Sequence, residues 1–512
     1  MLGEQEGGHV PNGIYPSRMR RVPLLSGSRI VVCPVGDEDV VIRPPPPPAR
    51  VVDTGPASRD ALRFPLSGSP LSALAVRGGC ATIVVEPPAL PLPGAPLDPR
   101  RDALAAVVAA LEQAGIDDEK QTILVAGGLG RRLGQRELER LLPPPQARAF
   151  RGNVVVHDAE SADLIPLTGD TRAHPALVET DLVVVATAAE TALHGGAGAL
   201  LASCDAETQR RVASIDSLLQ AAGAPEWEIA IAVESALADR VPLIGLSLSL
   251  DHPRLTGRFR DYPHDDASLD HVVRSPFRRL YSLLPGGVRR SILRDQGRRL
   301  SAIAAYAGPP SVAHAEALLR SIELRAARLS EPLDVLVVGI PWSGPHFPRE
   351  PLNPITSAAI SLGLVLRLWR DAFPLVPGGT LVLVHALLRS FARETQDPYR
   401  LLFGALGAKT DDAIARAERA AARDARAIEA YRAGRACHPL LPHADWAGCT
   451  PALARLGRVI VAGSRDAMAA RTLGFVPSHS LASALEMAHG VAGGRARVGV
   501  LLAPPYAPLL VG

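Results

Sequence analysis

From about residue 80 onward, short runs of apolar, mostly β-branched residues alternate with longer stretches whose apolar positions recur every three or four residues. The runs are ATIVV (81–85), TILVA (122–126), NVVVHD (153–158), DLVVVAT (181–187), EIAIAV (228–233) and VPLIGLSLSL (241–250). Unbroken apolar runs of this length predict strands buried on both faces, and the helical period between them predicts covering helices. RDALAAVVAALEQAG (101–115) reads as a helix with Asp102 placed to cap its start and Gly115 its end. SVAHAEALLRSIELRAARLS (311–330) reads as another helix, after which a second cycle opens: EPLDVLVVGI (331–340), TLVLVHAL (380–387), RVIVAGS (458–464) and RVGVLLAPP (497–505). Strand and helix in alternation predict the α/β class: two α/β domains with largely parallel sheets and an interdomain cleft.

Around this repeating pattern lie segments of other character. The first twenty residues are polar and glycine-rich, the signature of a flexible N-terminus, and RVPLLSGSRIVVCPV (21–35) is the first segment with strand character. PPPPP (44–48) is a stiff, extended spacer, because proline fixes φ and has no amide proton to give a ladder. Two stretches break the cycles. Residues 252–300 are rich in Asp, His and Arg, and TDDAIARAERAAARDARAIEAYRAG (410–434) is a long Ala/Arg helix with Thr410 as its N-cap. The expected division is a first domain over 21–330, carrying the 252–300 insertion, and a second over 331–512, carrying the helical insertion at 410–434.

Composition agrees with a globular reading and narrows the partners. At about 150 residues per domain, 512 residues make two large domains or three smaller ones. Apolar residues are 47% and charged residues 21%, too apolar for disorder. Lys+Arg 55 against Asp+Glu 52 leaves +3, so the chain as a whole is not expected to bind nucleic acid or an anionic membrane. Five scattered cysteines (Cys33, Cys80, Cys204, Cys437, Cys449) do not make a disulfide framework, and the opening MLGEQEGGHVPNG lacks the basic-then-apolar order of a signal sequence. A cytoplasmic, reducing compartment is the expectation. Arginine replaces lysine almost everywhere: Lys120 and Lys409 are the only lysines, which confines lysine chemistry to two positions.

Candidate chemistry lies in two segments. In TILVAGGLGRRLGQRELERLL (122–142), a strand, a glycine turn and a helix follow one another, so Gly127, Gly128 and Gly130 could open backbone amides to an anion, with Arg131 and Arg132 adding charge. The glycine spacing departs from the dinucleotide fingerprint, since Gly134 comes one residue late, and a plain strand-to-helix turn is the simpler alternative. In residues 153–211, His157 and Asp158 close one apolar strand and His194 follows another in a glycine-rich loop. Loops at the carboxyl ends of parallel strands are where open α/β sheets bind ligands, and histidines there can move protons or ligate a metal. Cys437, His438, His443, Asp445 and Cys449 supply donors for zinc, but their spacing is not that of a finger or ribbon. The arginines and Asp/His pairs of 252–300 read as a solvated charged face.

Through these segments and others the chain resembles the nickel-pincer-nucleotide lactate racemase family, from about Leu24 to the end apart from the two insertions. Residues 61–93 are similar to the family's segment leading into Asp-Asp-x-Thr-Arg-Pro, residues 122–142 to its Gly-Thr-His-Arg turn, and residues 181–204 to the segment carrying Glu-Pro-His and Ser-Gly-Gly-x-Lys. The C-terminal half resembles it through DVLVVGIPW (334–342), FPREPLNPI (347–355), PGGTLVLV (377–384) and LGFVPSHSLASALEMA (473–488). The resemblance implies a racemase or epimerase acting on a 2-hydroxy acid, with two catalytic histidines and a nickel cofactor tethered to a lysine.

Residue by residue this chain departs from that pattern. The acidic motif becomes Glu86, Pro87, Pro88, Ala89, Leu90 and Pro91, and the catalytic histidine of the turn becomes Gly130, with Arg131 retained. In an ungapped register Glu190 matches and Ala192 replaces the second histidine; with a two-residue insertion His194 matches instead, and the tether position falls on Cys204. No lysine follows in either register, and the nickel-ligand region near Ala213 has no histidine. The substrate-side Tyr-Pro-Lys-Asp resembles Phe347, Pro348, Arg349 and Glu350. The reading is therefore a lactate racemase-like protein that acts on, or binds, a small anionic molecule in the cleft, with Arg131, His157, His194 and Arg349 facing it. The alternative is a catalytically silent descendant that serves as a ligand-binding or protein-interaction module.

Overall fold

The computed structural model describes residues 20–512 except 49, 88–97, 256–261, 295–297, 343, 345–349, 393, 494 and 505. In chain order, its principal strands are β1 (Arg20–Gly27), β2 (Arg29–Val35), β3 (Val40–Ile42), β4 (Ala81–Val85), β5 (Gln121–Val125), β6 (Asn153–Val156), β7 (Leu182–Ala188), β8 (Leu243–Leu250) and β9 (Ala302–Gly308). There follow β10 (Leu333–Pro341), β11 (Leu375–Val384), β12 (Arg458–Ala462), β13 (Val476–Ser478) and β14 (Val498–Leu501). The apolar runs read from the sequence thus become strands, with one exception. EIAIAV lies inside the helix Pro225–Ala238, where Pro225 opens the first turn and Glu226 and Glu228 answer its exposed amides. Ala230, Val233 and Leu237, spaced for one helical face, are buried there.

The first sheet has the order β9-β8-β7-β4-β5-β6, all parallel except β9. Its two faces are covered by separate apolar cores. Helix Pro99–Gln113 contributes Leu104, Val107 and Leu111 to one, while the helices Ala197–Leu201 and Pro225–Ala238 fill the other. Asp98, not Asp102, caps the first of these helices: its side chain accepts the Arg100 amide, and Pro99 occupies the first turn.

The second sheet runs β13-β12-β11-β10-β14-β3 in parallel, and the β1–β2 hairpin is joined to it through β1 at Ser26 and Gly27 against Ile340 and Pro341 of β10. Residues 20–42 therefore pair into this sheet, whereas the sequence division grouped them with the first. The reason is local: Gly339 lets β1 lie flush on β10, since a Cβ there would stand 2.5 Å from the Leu25 carbonyl oxygen.

The long insertion helix breaks in two, Asp411–Ala421 and Ala425–Arg432, because Asp424 caps a new start with its side chain on the Arg426 and Ala427 amides; Thr410 caps the first piece as expected. Residues 266–294 of the other insertion form three short helices. One apolar cluster links the two sheets. It takes Leu129, Ala159, Ala189, Ala192 and Leu218 from the first half and Leu336, Ile340, Leu383, Tyr431 and Cys437 from the second. Among the described residues no helix is long and apolar enough to cross a membrane.

Candidate functional site

In the first sheet the chain leaves β4 toward β5 and β6 on one side, then returns to lay β7 and β8 on the other. The connections after β4 and β7 diverge, which makes their carboxyl ends the topological switch point, the place where open parallel sheets hold ligands. Glu86 follows β4 directly, and Glu190, Thr191 and His194 follow β7.

The switch point is built around a carboxyl pair and one arginine. The Gly195 amide donates to Glu86 Oε2 (2.6 Å) and the Gly196 amide to Thr187 Oγ1 (3.0 Å). Both glycines have positive φ (+102° and +54°), and a Cβ on either would press within 2.6 Å of His314, so only glycine turns these amides inward. His314, on the helix Pro310–Arg325, donates from Nε2 to the Thr191 carbonyl (2.8 Å), with Nδ1 3.4 Å from Ser247 Oγ. Burial lowers its pKa to about 4, so the ring is neutral. Arg100 reaches across from the helix that Asp98 caps. It grips Asp98 through Nε and Nη2 (2.8–3.1 Å) and Glu190 through Nη1 (2.9 Å). Burial opposes its charge, but the two carboxylates outweigh that and hold it above the ordinary arginine value.

Glu86 and Glu190 are thereby treated differently. Burial raises the Glu86 carboxyl to about 8; the Gly195 amide opposes the shift, the Glu190 charge adds to it and Arg100 works against it. Glu86 is half-buried and protonated at neutral pH, while Glu190, nearly buried, has Arg100 as a direct counter-charge. His194 is half-buried beside them, its Nδ1 2.7 Å from the Thr191 hydroxyl. A carboxyl whose pKa is raised, a second carboxyl paired with an arginine and an oriented imidazole are the parts of acid–base chemistry.

The other residues singled out by sequence are held elsewhere on the same carboxyl edge. Arg131 forms a two-pronged pair with Glu137 (2.7 and 2.8 Å), and Arg132 donates to the carbonyls of Arg432 (2.7 Å) and Val156 (2.9 Å). The turn Gly127–Gly130 is covered by the second half of the chain. Tyr431 donates its hydroxyl proton to the Gly128 carbonyl and accepts the Ala159 amide (both 3.2 Å), and the His438 amide donates to the Leu129 carbonyl (3.0 Å). Arg432 pairs with Asp158 (2.9 Å) and His438 with Glu160 (3.0 Å). Of the amides expected to cradle an anion, Gly127 donates to the Val125 carbonyl and Gly130 to the Gly127 carbonyl (both 3.1 Å), so two of the three are taken up within the turn itself.

His157 is buried with Nε2 donating to the Cys204 carbonyl (2.8 Å), and burial lowers it to about 4. It is a structural donor, separated from His194 by its place beyond β5 and β4 in the sheet. Phe347, Pro348 and Arg349 lie outside the described residues; Glu350 accepts from Thr395 Oγ1 (2.9 Å) and Gln396 Nε2 (3.1 Å). Sequence reasoning missed Asp98, Arg100 and His314. The Asp98-Pro99 pair at the helix start was the available signal for the first two.

A lysine-tethered nickel cofactor does not fit these residues. Lys120 precedes β5, at the amino edge of the sheet, where it donates to the Gly78 carbonyl, and Lys409 is exposed on the loop before the insertion helices. Cys204, at the tether position of the gapped register, is fully buried with its thiol against the Leu200 carbonyl, and burial raises its pKa. Among the described residues, those of the Cys437–Cys449 segment included, no three His, Cys, Asp or Glu side chains converge in a group that could hold a metal.

Fold and site together define a two-sheet α/β protein with its candidate chemistry at the carboxyl edge of the first sheet. Residues 27–194 match the lactate racemase N-terminal domain. The solved lactate racemase apoprotein from Thermoanaerobacterium thermosaccharolyticum shares the fold at 14% identity, with a TM-score of 0.60 over 96% of this chain and 100% of that one. A structural-genomics protein from Thermotoga maritima aligns at 12% identity and a TM-score of 0.47, over 90% of this chain and 100% of its own. No curated protein matches.

Proposed function

We propose that the chain acts in the racemase/epimerase class on a 2-hydroxy acid or a similar small anionic substrate, through side chains at the switch point and without a tethered nickel cofactor. The observation that carries this reading is the placing of Glu86, held by the Gly195 amide, and of Glu190, held against Arg100, at one switch point. Glu86 would donate its proton in a hydrogen bond to the substrate carboxylate as charge develops on it, Arg100 would supply the positive field, and His194 would exchange the α-proton.

A second reading, binding without turnover, is favoured by the closure of the glycine turn by Tyr431 and His438. Incorporation of solvent deuterium at the α-carbon separates the two. The enzyme reading expects incorporation, reduced by roughly 10²–10⁴-fold in His194→Ala. Calorimetric binding of the same acids with no incorporation establishes the binding module instead.

A further inference from the structure

The carboxyl edge of the second sheet gathers polar side chains from four separate segments that the switch-point chemistry does not use. His385 follows β11. Its Nδ1 accepts the Leu387 amide (3.1 Å), so the neutral ring carries its proton on Nε2, 3.9 Å from where a Cβ on Gly27 would stand. Gly27 begins the turn to Ser28 and Arg29 between β1 and β2. Arg289, buried at 8% exposure, is anchored on the carbonyls of Ser282 and Leu284 and brings Nε to 3.4 Å from Ser28 Oγ. Tyr281 donates to the Ser28 carbonyl (2.8 Å) and fixes the same turn. Arg465 follows β12, and its amide donates to the Ala386 carbonyl (2.8 Å), beside His385.

Three guanidiniums therefore share this edge, and none forms an ion pair with a carboxylate among the described residues. The neighbouring Asp466 spends its carboxylate on the Ala469 amide (2.9 Å). After burial, the charges of Arg465 and Arg289 are what hold the Arg29 guanidinium below its ordinary value. Like charges gathered without a counter-ion are unfavourable unless an anion joins them. The edge also coincides with a switch point. β11, β12 and β13 lie to one side of β10 and β14 to the other, and β1 pairs with the carboxyl end of β10 on the side away from β11, which brings the Gly27–Arg29 turn to this edge.

We propose that Arg29, Arg289, Arg465, Ser28 and His385 form a binding site for a phosphate-class oxyanion, such as the phosphate group of a small ester. Guanidinium forks match its oxygens, the serine hydroxyl and the imidazole Nε2–H add neutral donors, and a doubly charged group balances the cluster better than a single carboxylate.

Titration of the full chain with inorganic phosphate at low ionic strength, with acetate as the carboxylate probe, tests this. Saturable one-to-one phosphate binding is expected, with acetate weaker and with the ring signals of His385 shifting in the nuclear magnetic resonance spectrum. Arg29→Ala and Arg465→Ala, both at exposed positions, should each weaken phosphate by about tenfold or more with an unchanged unfolding midpoint, whereas Arg131→Ala should not change it. Absence of saturable binding, binding indifferent to both substitutions, acetate binding as tight as phosphate, or an unmoved His385 would each overturn the proposal.

Discussion

Glu86 and the buried histidines bend the pH dependence of stability in opposite directions. His157, His314 and His385 are each lowered by burial from 6.5 to about 4, so the unfolded chain takes up their protons first. Their stabilising contribution is whole above about 6.5 and drains as pH falls toward 4. Glu86 is raised from 4.5 to about 8, so its contribution is whole below 4.5 and is lost as pH rises through 8. Glu86→Gln removes that second dependence. Its stability relative to the parent should climb between pH 5 and 8 by up to about 1.4 kcal/mol per unit, read by urea unfolding at fixed pH values. Parallel profiles for the two proteins would mean that Glu86 is ionised in the native state. At Gly196, a methyl group meets His314 Cβ at 2.4 Å on a backbone with φ +54°. Gly196→Ala should therefore cost on the order of 2–4 kcal/mol in the same assay.

At the scale of elements, strands were legible because they are apolar on both faces, and boundaries were less so. Asp102 and Asp98 are both plausible caps by residue type, and only the bond to the Arg100 amide decides for Asp98. EIAIAV is β-branched in composition yet helical, since Pro225 and the first-turn acids start a helix that buries Ala230, Val233 and Leu237 on one side. The candidate site was legible in part. His194 was singled out, whereas Glu86 appeared only among the residues that replace the acidic motif, and Arg100 meets Glu190 across ninety residues of sequence, a contact that no local pattern announces. The insertion helices are a clamp that the sequence did not foretell: Tyr431 bridges Gly128 and Ala159, and Arg210 pairs with Glu418. Tyr431→Phe removes both bridging bonds and should cost about 1–3 kcal/mol, with faster amide hydrogen exchange at Ala159. Unchanged exchange there would show that the clamp does not depend on this hydroxyl.

Across the whole molecule, the two sheets share one apolar cluster, and Arg455 ties Asp216 from the other half with two bonds of 2.7 Å while lying over Trp369 and Phe373. Such an interface should make calorimetric unfolding a single transition; two resolved transitions would show halves that melt independently. The fold of the lactate racemase apoprotein is shared at 14% identity. This is the expected result when burial pattern fixes architecture and a few edge residues fix chemistry.

The claim that those edge residues now carry acid–base chemistry rests most directly on one measurement: deuterium incorporation at the α-carbon of 2-hydroxy acids by protein expressed without cofactor-making enzymes and confirmed by intact mass as bare polypeptide. Incorporation by the parent chain and its loss in His194→Ala are the expected results. Incorporation that needs an added nickel cofactor, or that survives in His194→Ala, would contradict the claim.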